Sequence, residues 1–161
     1  MNTLKKGFEP FVGENPKILI LGSFPSVKSR QIEFYYGNSQ NRFWKTLAEF
    51  FGQPLPQTVE EKKKFLSTNC IALWDVVTEC EIVGSQDSEI KNFKVADIQN
   101  LLQKIDVQLI ILNGGKAYEI FTRYCGNTVV PYVQLPSTSP ANTRFLKEKW
   151  FDALSAVFGR N

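Results

Sequence analysis

Residues 17–26 read KILILGSFPS, and this stretch predicts how the chain folds. Its first half, 17–21, is a short run dominated by apolar residues that stops at Gly22. Such a run is typical of a strand buried on both faces, as strands are in a parallel sheet covered by helices. A loop is expected over 23–30, so these residues stand at one edge of the predicted sheet.

The same strand pattern recurs along the chain and alternates with helical spacing. Further strands are predicted over 70–73, 108–112 and 129–135, and helices over 40–51, 59–66, 97–105, 116–124 and 142–158. Residues 84–94 have no strong period and are expected to form a surface loop. Alternating strands and helices favour parallel pairing. The sequence therefore predicts one α/β domain over 1–161, a three-layer α/β/α fold with a central four-stranded, mostly parallel sheet.

The composition excludes several classes of enzyme. The chain has 161 residues, and none of them is histidine. This removes the general base of Ser-His-Asp and Cys-His sites and the commonest ligand of zinc. The three cysteines, Cys70, Cys80 and Cys125, form no CxxC pair, so neither a disulfide framework nor a four-thiolate cluster is expected. No metal site and no cofactor are predicted.

Charge and hydropathy limit the partners. The net charge of +3 permits binding to a polyanion without requiring it. The first residues lack the apolar run of a secretory signal. No apolar stretch approaches the ~20 residues of a membrane-spanning helix. We therefore expect a cytoplasmic protein that makes no contact with a membrane.

Four segments follow the predicted strands and should meet at one edge of the sheet. They are residues 22–26 (GSFPS), 74–75 (WD), 113–115 (NGG) and 136–140 (PSTSP). In open parallel sheets, ligands bind beyond the carboxyl ends of the strands. The sequence thus predicts that the chemistry of this protein lies at that edge.

Three of these segments also have a purely structural interpretation. Residues 22–26 lack both GxGxxG and the P-loop pattern, so a plain tight turn explains them as well as a phosphate loop does. Residues 136–140 offer hydroxyls that suit a phosphate backbone, although a connecting turn explains them too. Asp75 can act as a base, hold a polar edge of a substrate, or serve as a structural carboxylate.

A second stretch, FYYGNSQNRFW at 34–44, places amides among large rings. Its last two rings fall at helical spacing and are expected in the core. Tyr35 and Tyr36 precede the helix, and two adjacent tyrosines cannot both point into one core. Asn41 stands near the helix start, where polar residues are common. Its position beside rings and near the predicted ligand edge makes it a candidate for catalysis.

Together these segments resemble the uracil-DNA glycosylase superfamily, most closely its hypoxanthine-DNA glycosylase branch. The resemblance rests on ILILGSFPS at 18–26, FYYGNSQNRFW at 34–44, ALWDVV at 72–77, GSQDSEI at 84–90, ILNGGKA at 111–117 and LPSTSPAN at 135–142. It implies an α/β domain that rotates a deaminated base out of DNA and hydrolyses its N-glycosidic bond in base excision repair. DNA is then the partner, and a monomer without cofactor is expected.

The resemblance also implies roles for individual residues. Many relatives place a catalytic Asn or Asp in the first loop, where this chain has Phe24. In the hypoxanthine branch the catalytic amide maps instead onto Asn41, and Phe24 resembles the ring that stacks on the extruded base. The expected base pocket comprises Phe24, Tyr35, Tyr36, Trp74 and Asp75. The expected DNA contacts are Ser23, Pro25, Ser26, Arg42, Ser137, Thr138, Ser139, Pro140 and Asn142, with Lys28, Arg30 and Arg144 adding positive charge.

One departure from the branch concerns the preferred base. The branch often has His-Pro where this chain has Asn38 and Ser39. The sequence leaves open the choice among hypoxanthine, uracil, xanthine and mismatched thymine, the opposite base and the strandedness of the DNA. We expect the loop at 84–94 to decide among the bases.

A neutral amide suits this chemistry. Cleavage of a glycosidic bond builds positive charge on the sugar, which the DNA phosphates can stabilise. Asn41 cannot be a true base, but it can accept a hydrogen bond from a water and hold that water in line. Two other classes remain open at this point: a non-catalytic module that binds DNA lesions or nucleotides, and a small-molecule enzyme on a flavodoxin-like sheet.

Overall fold

The computed structural model describes residues 3–82 and 90–159. Within these ranges the strands are β1 (Thr3–Lys6), β2 (Ile18–Gly22), β3 (Ile71–Asp75), β4 (Val77–Ile82), β5 (Ile90–Val95), β6 (Leu109–Asn113) and β7 (Tyr132–Leu135). The helices are α1 (Val27–Ile32), α2 (Phe43–Phe51), α3 (Val59–Thr68), α4 (Ile98–Leu102), α5 (Gly115–Tyr124) and α6 (Lys147–Phe158).

The central sheet has four parallel strands in the order β3-β2-β6-β7. All residues of β2 are buried, and they alternate between the two faces. Ile18 and Ile20 pack into one hydrophobic cluster, whereas Leu19 and Leu21 pack into another. A continuous apolar run is what such a doubly covered strand requires. The predicted three-layer α/β/α fold with a parallel sheet is therefore confirmed.

The helices cover the two faces of this sheet. Helices α2, α3 and α6 share a cluster that includes Leu47, Phe65 and Trp150. Helices α4 and α5 contribute Leu101 and Phe121 to the cluster on the other face. Within residues 3–82 and 90–159, no helix combines the length and apolar character that a bilayer crossing needs.

A second, three-stranded antiparallel sheet in the order β1-β4-β5 was not predicted. Its strands mix charged and apolar residues, as VTECEI in β4 and IKNFKV in β5 show. The expected surface loop over 84–94 is wrong for residues 90–94, which belong to β5. The remainder of that loop, 84–89, lies outside the described residues. Pairing of β1 with β4 joins distant parts of the chain, which local pattern cannot reveal.

Several element boundaries also differ from the prediction. The expected loop over 23–30 contains the start of α1, whose cap is the Ser26 hydroxyl accepting the Ser29 N–H at 3.2 Å. Helices α2 and α6 begin three and five residues later than predicted. Asn142 explains the late start of α6, because its side chain accepts the Arg144 N–H at 3.0 Å. Such local bonds compete with helix formation.

Candidate active site

A cavity of about 370 Å³ opens beyond the carboxyl ends of the parallel strands. This volume lies within the roughly 300–1,000 Å³ of small-molecule sites. The lining comes from the loops after β2, β3, β6 and β7 and from the stretch before α2. It comprises Gly22, Ser23, Phe24, Pro25, Ser26, Ser29, Tyr35, Tyr36, Asn38, Asn41, Asp75, Asn113, Gly114, Gly115, Lys116, Ser137, Thr138, Ser139 and Pro140.

Strand register brings Asp75 to the first loop. Gly22 on β2 pairs with Asp75 on β3 in the parallel ladder. A Cβ on Gly22 would lie 2.6 Å from Asp75 Oδ1 and 3.0 Å from the Tyr36 hydroxyl oxygen. The missing side chain of Gly22 thus leaves the space in which the buried Asp75 carboxylate and the Tyr36 hydroxyl stand.

The stretch from 35 to 41 forms one side of the cavity, which we call the tyrosine wall. Tyr36 has φ 54, a left-handed conformation that is strained for a bulky residue. The Trp44 indole N–H donates to the carbonyl oxygens of Tyr35 at 3.3 Å and Tyr36 at 3.1 Å. The Tyr36 ring stacks on Phe43 with centroids 4.0 Å apart. These contacts hold the strained segment in place.

Tyr35 and Phe24 are buried aromatic residues of the lining. The Tyr35 hydroxyl donates to the carbonyl oxygen of Glu9 at 2.8 Å. Burial raises the pKa of Tyr35 far above its ordinary value, and the charges of Asp75, Tyr36 and Glu9 raise it further. Tyr35 therefore stays protonated and neutral. The Arg30 guanidinium lies over the Phe24 ring, 5.6 Å from its centroid.

Asn41 lies two residues before α2, half-buried in the cavity lining. Its Oδ1 accepts the backbone N–H of Phe43 at 2.9 Å, and its own backbone N–H donates to Asn38 O at 2.9 Å. A carbonyl oxygen has two lone pairs. The bond from Phe43 therefore orients the Asn41 amide and leaves acceptor capacity on the same oxygen.

Residues 136–142, which we call the closing loop, form a second side of the cavity. The Asn113 amide donates to the Thr138 hydroxyl and accepts the Thr138 N–H, each at 3.0 Å. Thr138 is 1% exposed, so this paired contact is dry. The Trp150 indole N–H donates to Pro136 O at 2.8 Å. The Arg42 N–H donates to Thr138 O at 3.0 Å, which joins the closing loop to the beginning of α2.

Gly114 allows the closing loop to approach β6 closely. Its φ of 100 lies in a region that side chains rarely adopt. A Cβ there would stand 2.8 Å from Ser137 Cβ. Both the backbone conformation and the space require glycine at this position.

Three predicted site residues do not line the cavity. Trp74 faces away, and its indole N–H donates to Phe8 O at 2.9 Å, which corrects its predicted place in the base pocket. The Arg42 guanidinium donates to the carbonyl oxygens of Ser139 at 3.4 Å and Asn142 at 2.9 Å. The Asn142 amide donates to Ser137 O at 2.9 Å. Arg42 and Asn142 thus shape the closing loop from behind.

Besides three glycines, four lining residues are not among the predicted site residues: Ser29, Asn38, Asn113 and Lys116. Asn113 carried a signal, since it follows a buried strand and precedes two glycines. Lys116 follows the same two glycines at the start of α5. Ser29 carried none, because its role depends on α1: its hydroxyl accepts the Gly37 N–H at 2.9 Å.

The fold and this cavity define an α/β protein with a ligand site at the carboxyl edge of a parallel sheet, walled by rings, amides and hydroxyls. A family model described as "Uracil DNA glycosylase superfamily" matches residues 9–157. The chain belongs to this superfamily, which confirms the predicted enzyme class, a DNA glycosylase.

Individual relatives agree with this assignment. A protein of Methanosarcina acetivorans named "Hypoxanthine DNA glycosylase" is 42% identical over 151 residues, covering 91% of this chain and 93% of the relative. One of Methanosarcina barkeri with the same name is 34% identical, covering 92% and 97%. A solution NMR structure from Methanosarcina acetivorans, described as a candidate uracil DNA glycosylase, matches with a TM-score of 0.78 and 39% identity over 97% of each chain.

Proposed function

We propose that this protein removes hypoxanthine and uracil from DNA as a monofunctional glycosylase, with Asn41 as the catalytic residue. The observation that carries the proposal is the Asn41 amide, oriented by the Phe43 N–H and exposed to a cavity walled by aromatic rings. The names of the two Methanosarcina relatives support hypoxanthine as a substrate.

Binding begins with extrusion of the target nucleotide. Unpairing and unstacking cost a few kcal/mol, least at a damaged or mismatched base. Stacking on an aromatic side chain returns ~1–3 kcal/mol per base. Phe24 and Tyr36 supply the rings, and the hydroxyl-rich loops at 23–26 and 137–139 grip the flanking phosphates. The rigid tyrosine wall keeps its rings in place before the base arrives, so little ordering accompanies binding.

Asp75 reads the edge of the extruded base. Hypoxanthine carries an N1–H and uracil an N3–H, whereas adenine and cytosine have an unprotonated nitrogen at these positions. A carboxylate accepts hydrogen bonds and offers none, so it favours the bases that present an N–H. Asp75 is buried beside Gly22. A base nitrogen that faces this carboxylate without an N–H loses its hydrogen bond to water and gains none in return, which strengthens the preference.

The chemical step is a hydrolysis. The bond from C1′ to the base nitrogen lengthens and the sugar gains oxocarbenium character. Asn41 Oδ1 accepts a hydrogen bond from a water and holds its oxygen toward C1′. The water oxygen bonds to C1′, the base leaves with the bonding electrons, and the released proton is taken up by the base through solvent. Lactam bases leave readily, so an amide suffices where a poorer leaving group would need a carboxylate.

Substitution of Asn41 tests this assignment. Asn41→Ala should slow single-turnover release of hypoxanthine from a duplex roughly 100-fold, the order expected when a reacting group loses its positioning. Asn41→Ser keeps an acceptor for the Phe43 N–H and serves as the folding control; it should be as slow as Asn41→Ala. Asn41→Asp should stay active, since a carboxylate accepts the same bonds. Undiminished release by folded Asn41→Ala would refute the role.

A panel of single-lesion duplexes tests the substrate class. Each duplex carries one test base, which is hypoxanthine, uracil, xanthine, adenine, or a thymine mispaired with guanine. Abasic products are scored as alkali-labile sites. We expect release of hypoxanthine and uracil and none of adenine. Adenine release at the hypoxanthine rate would contradict the role of Asp75. Tight binding of abasic DNA with no base released from any duplex would overturn the proposed glycosylase.

A further inference from the structure

A second cavity lies behind the Phe24 ring, on the side away from the active site. It is a groove of about 470 Å³ lined by Lys5 on β1 and by Val27, Arg30 and Gln31 on α1. The three helical residues are spaced i, i+3 and i+4, so they form one face of α1. The Arg30 guanidinium lies over the ring of Phe24, which lines the active-site cavity, so Arg30 links the groove to that cavity.

The groove is positively charged. Among the described residues, its lining holds two cations and no carboxylate. Lys5 is exposed on an edge strand. Within the described ranges neither Lys5 nor Arg30 forms an ion pair. Arg30 Nη1 is buried, and no acceptor in the described part of the chain lies within hydrogen-bonding distance. Because Nη1 is buried, an anion in the groove bonds the accessible N–H groups of the half-buried Arg30 guanidinium and the Lys5 ammonium.

The geometry points to a phosphate of the bound DNA strand as the occupant. We propose that Lys5 and Arg30 together bind one stretch of phosphodiester backbone next to the extruded nucleotide, an interaction surface beyond the loops that grip the target itself. The planar guanidinium suits phosphate oxygens, and the flexible lysine adds a mobile charge. This inference rests on the proposed function, because a strand whose base enters the active site must continue past Phe24.

Arg30 then has two tasks. It binds phosphate with its outer N–H groups, and its planar face stays over the Phe24 ring. Arg30 is thus a positioning residue for the stacking ring as well as a DNA contact. Lys5 does not contact Phe24. Substitution of Lys5 therefore tests the electrostatic contribution to DNA binding without disturbing the stacking ring.

Salt dependence of DNA binding tests the groove. Fluorescence anisotropy with a duplex that carries one abasic site gives the slope of log Kobs against log salt. The magnitude of this slope falls by about 0.9 for each phosphate that the protein no longer neutralises. Lys5→Gln and Arg30→Gln should each lower the slope by about that amount, whereas Arg30→Lys should keep it. Lys104→Gln is the matched control, because exposed Lys104 lies between α4 and β6, at the sheet edge opposite the active site; it should change neither the slope nor base release.

Two results would overturn the proposal. One is a slope for Lys5→Gln that equals those of wild type and Lys104→Gln. The other comes from duplexes truncated on one side of the lesion: the Lys5→Gln effect should vanish for one of the two truncations, and its persistence with both would exclude a flanking phosphate. Binding does not require turnover. A wild-type protein that releases no base therefore refutes the glycosylase, while an unchanged slope refutes only the groove.

Discussion

The two sides of the active-site cavity are held by different forces, although each is anchored by an indole. Trp44 donates to the backbone of the tyrosine wall, and Trp150 donates to Pro136 of the closing loop. Beyond that shared contact, the tyrosine wall relies on stacked rings such as Tyr36 on Phe43. The closing loop relies on the buried bonds between Asn113 and Thr138 and on close backbone approach at Gly114.

This difference indicates how each side should respond to change. Aromatic packing yields gradually, because neighbouring rings shift and refill space. A dry polar pair and a backbone contact have no such tolerance, since a misplaced atom leaves a donor unpaired or forces a clash. The closing loop should therefore fail sharply under small substitutions, whereas the tyrosine wall should lose function by degrees.

The largest effect is expected at Gly114. Gly114→Ala places a Cβ 2.8 Å from Ser137 Cβ and forces a side chain into a φ of 100. We expect a loss of about 2–4 kcal/mol in the free energy of unfolding, measured by urea titration, together with loss of DNA binding.

Gly115→Ala is the control for that substitution. A Cβ on Gly115 meets only Gln134 Nε2, at an ordinary 3.6 Å. Gly115 opens α5, where alanine is well tolerated, so stability should stay level or rise by about 0.5–1 kcal/mol. Equal losses from the two substitutions would show that the closing loop does not depend on the close approach at Gly114.

The next effect separates the two indoles. Trp44→Phe keeps an aromatic ring but removes the N–H that holds the carbonyl oxygens of Tyr35 and Tyr36. We expect a stability loss of about 1–3 kcal/mol and a lower kcat, because the strained Tyr36 loosens beside Asn41. The kinetic split is measured with a hypoxanthine duplex under multiple-turnover conditions.

Trp150→Phe makes the same chemical change under the closing loop. It should raise KM more than it lowers kcat, because in the proposed mechanism this loop binds phosphate and makes no contact with the reacting sugar. If both variants shift the same kinetic parameter, the assignment of catalysis to the tyrosine wall and of DNA binding to the closing loop is wrong.

The smallest effect is expected at Lys62, which lies on α3 behind the tyrosine wall. Its ammonium is 5.3 Å from the Trp44 ring centroid, and burial lowers its pKa below the ordinary value. Between the folded and unfolded pKa values the unfolded chain binds more protons, so this group makes stability rise with pH in that window. Lys62→Met should stay within about 1 kcal/mol of wild type at neutral pH.

The pH dependence checks the origin of that small effect. Unfolding free energies of wild type and Lys62→Met are compared from neutral pH up to the ordinary lysine value of 10.5. As pH rises, the unfolding free energy of the wild type should increase relative to that of the variant. A constant difference across this range would mean that Lys62 titrates normally and that its burial carries no penalty.

The parallel sheet was predictable because its signals are local. Strands β2, β3 and β6 are runs dominated by apolar residues that end at Gly22, Asp75 and Asn113, and the ligand edge follows from the direction of the strands. Asp75 and Trp74 mark the limit of this reasoning. Both were assigned to the base pocket, yet successive side chains on a strand point to opposite faces. Asp75 lines the cavity, and Trp74 therefore cannot.

The antiparallel sheet and the partners of the site residues were beyond local pattern. The short strands of β1, β4 and β5 are half-exposed and mixed in polarity, so only their mutual pairing identifies them. Arg42 looked like a DNA contact from its charge. Its guanidinium instead reaches the carbonyl oxygen of Asn142, a hundred positions along the chain.

By itself, the sequence determined the α/β fold class, the edge of the sheet where the site lies and most of the loops that build it. Those properties depend on hydrophobic periodicity and on residue types at strand ends, which neighbouring positions carry. Only the tertiary structure decided which side chains face the cavity, which ones brace it from behind, and that a charged groove lies beyond Phe24. Hydrogen bonds such as Asn113 with Thr138 join residues far apart in the chain, and folding alone brings those partners within reach.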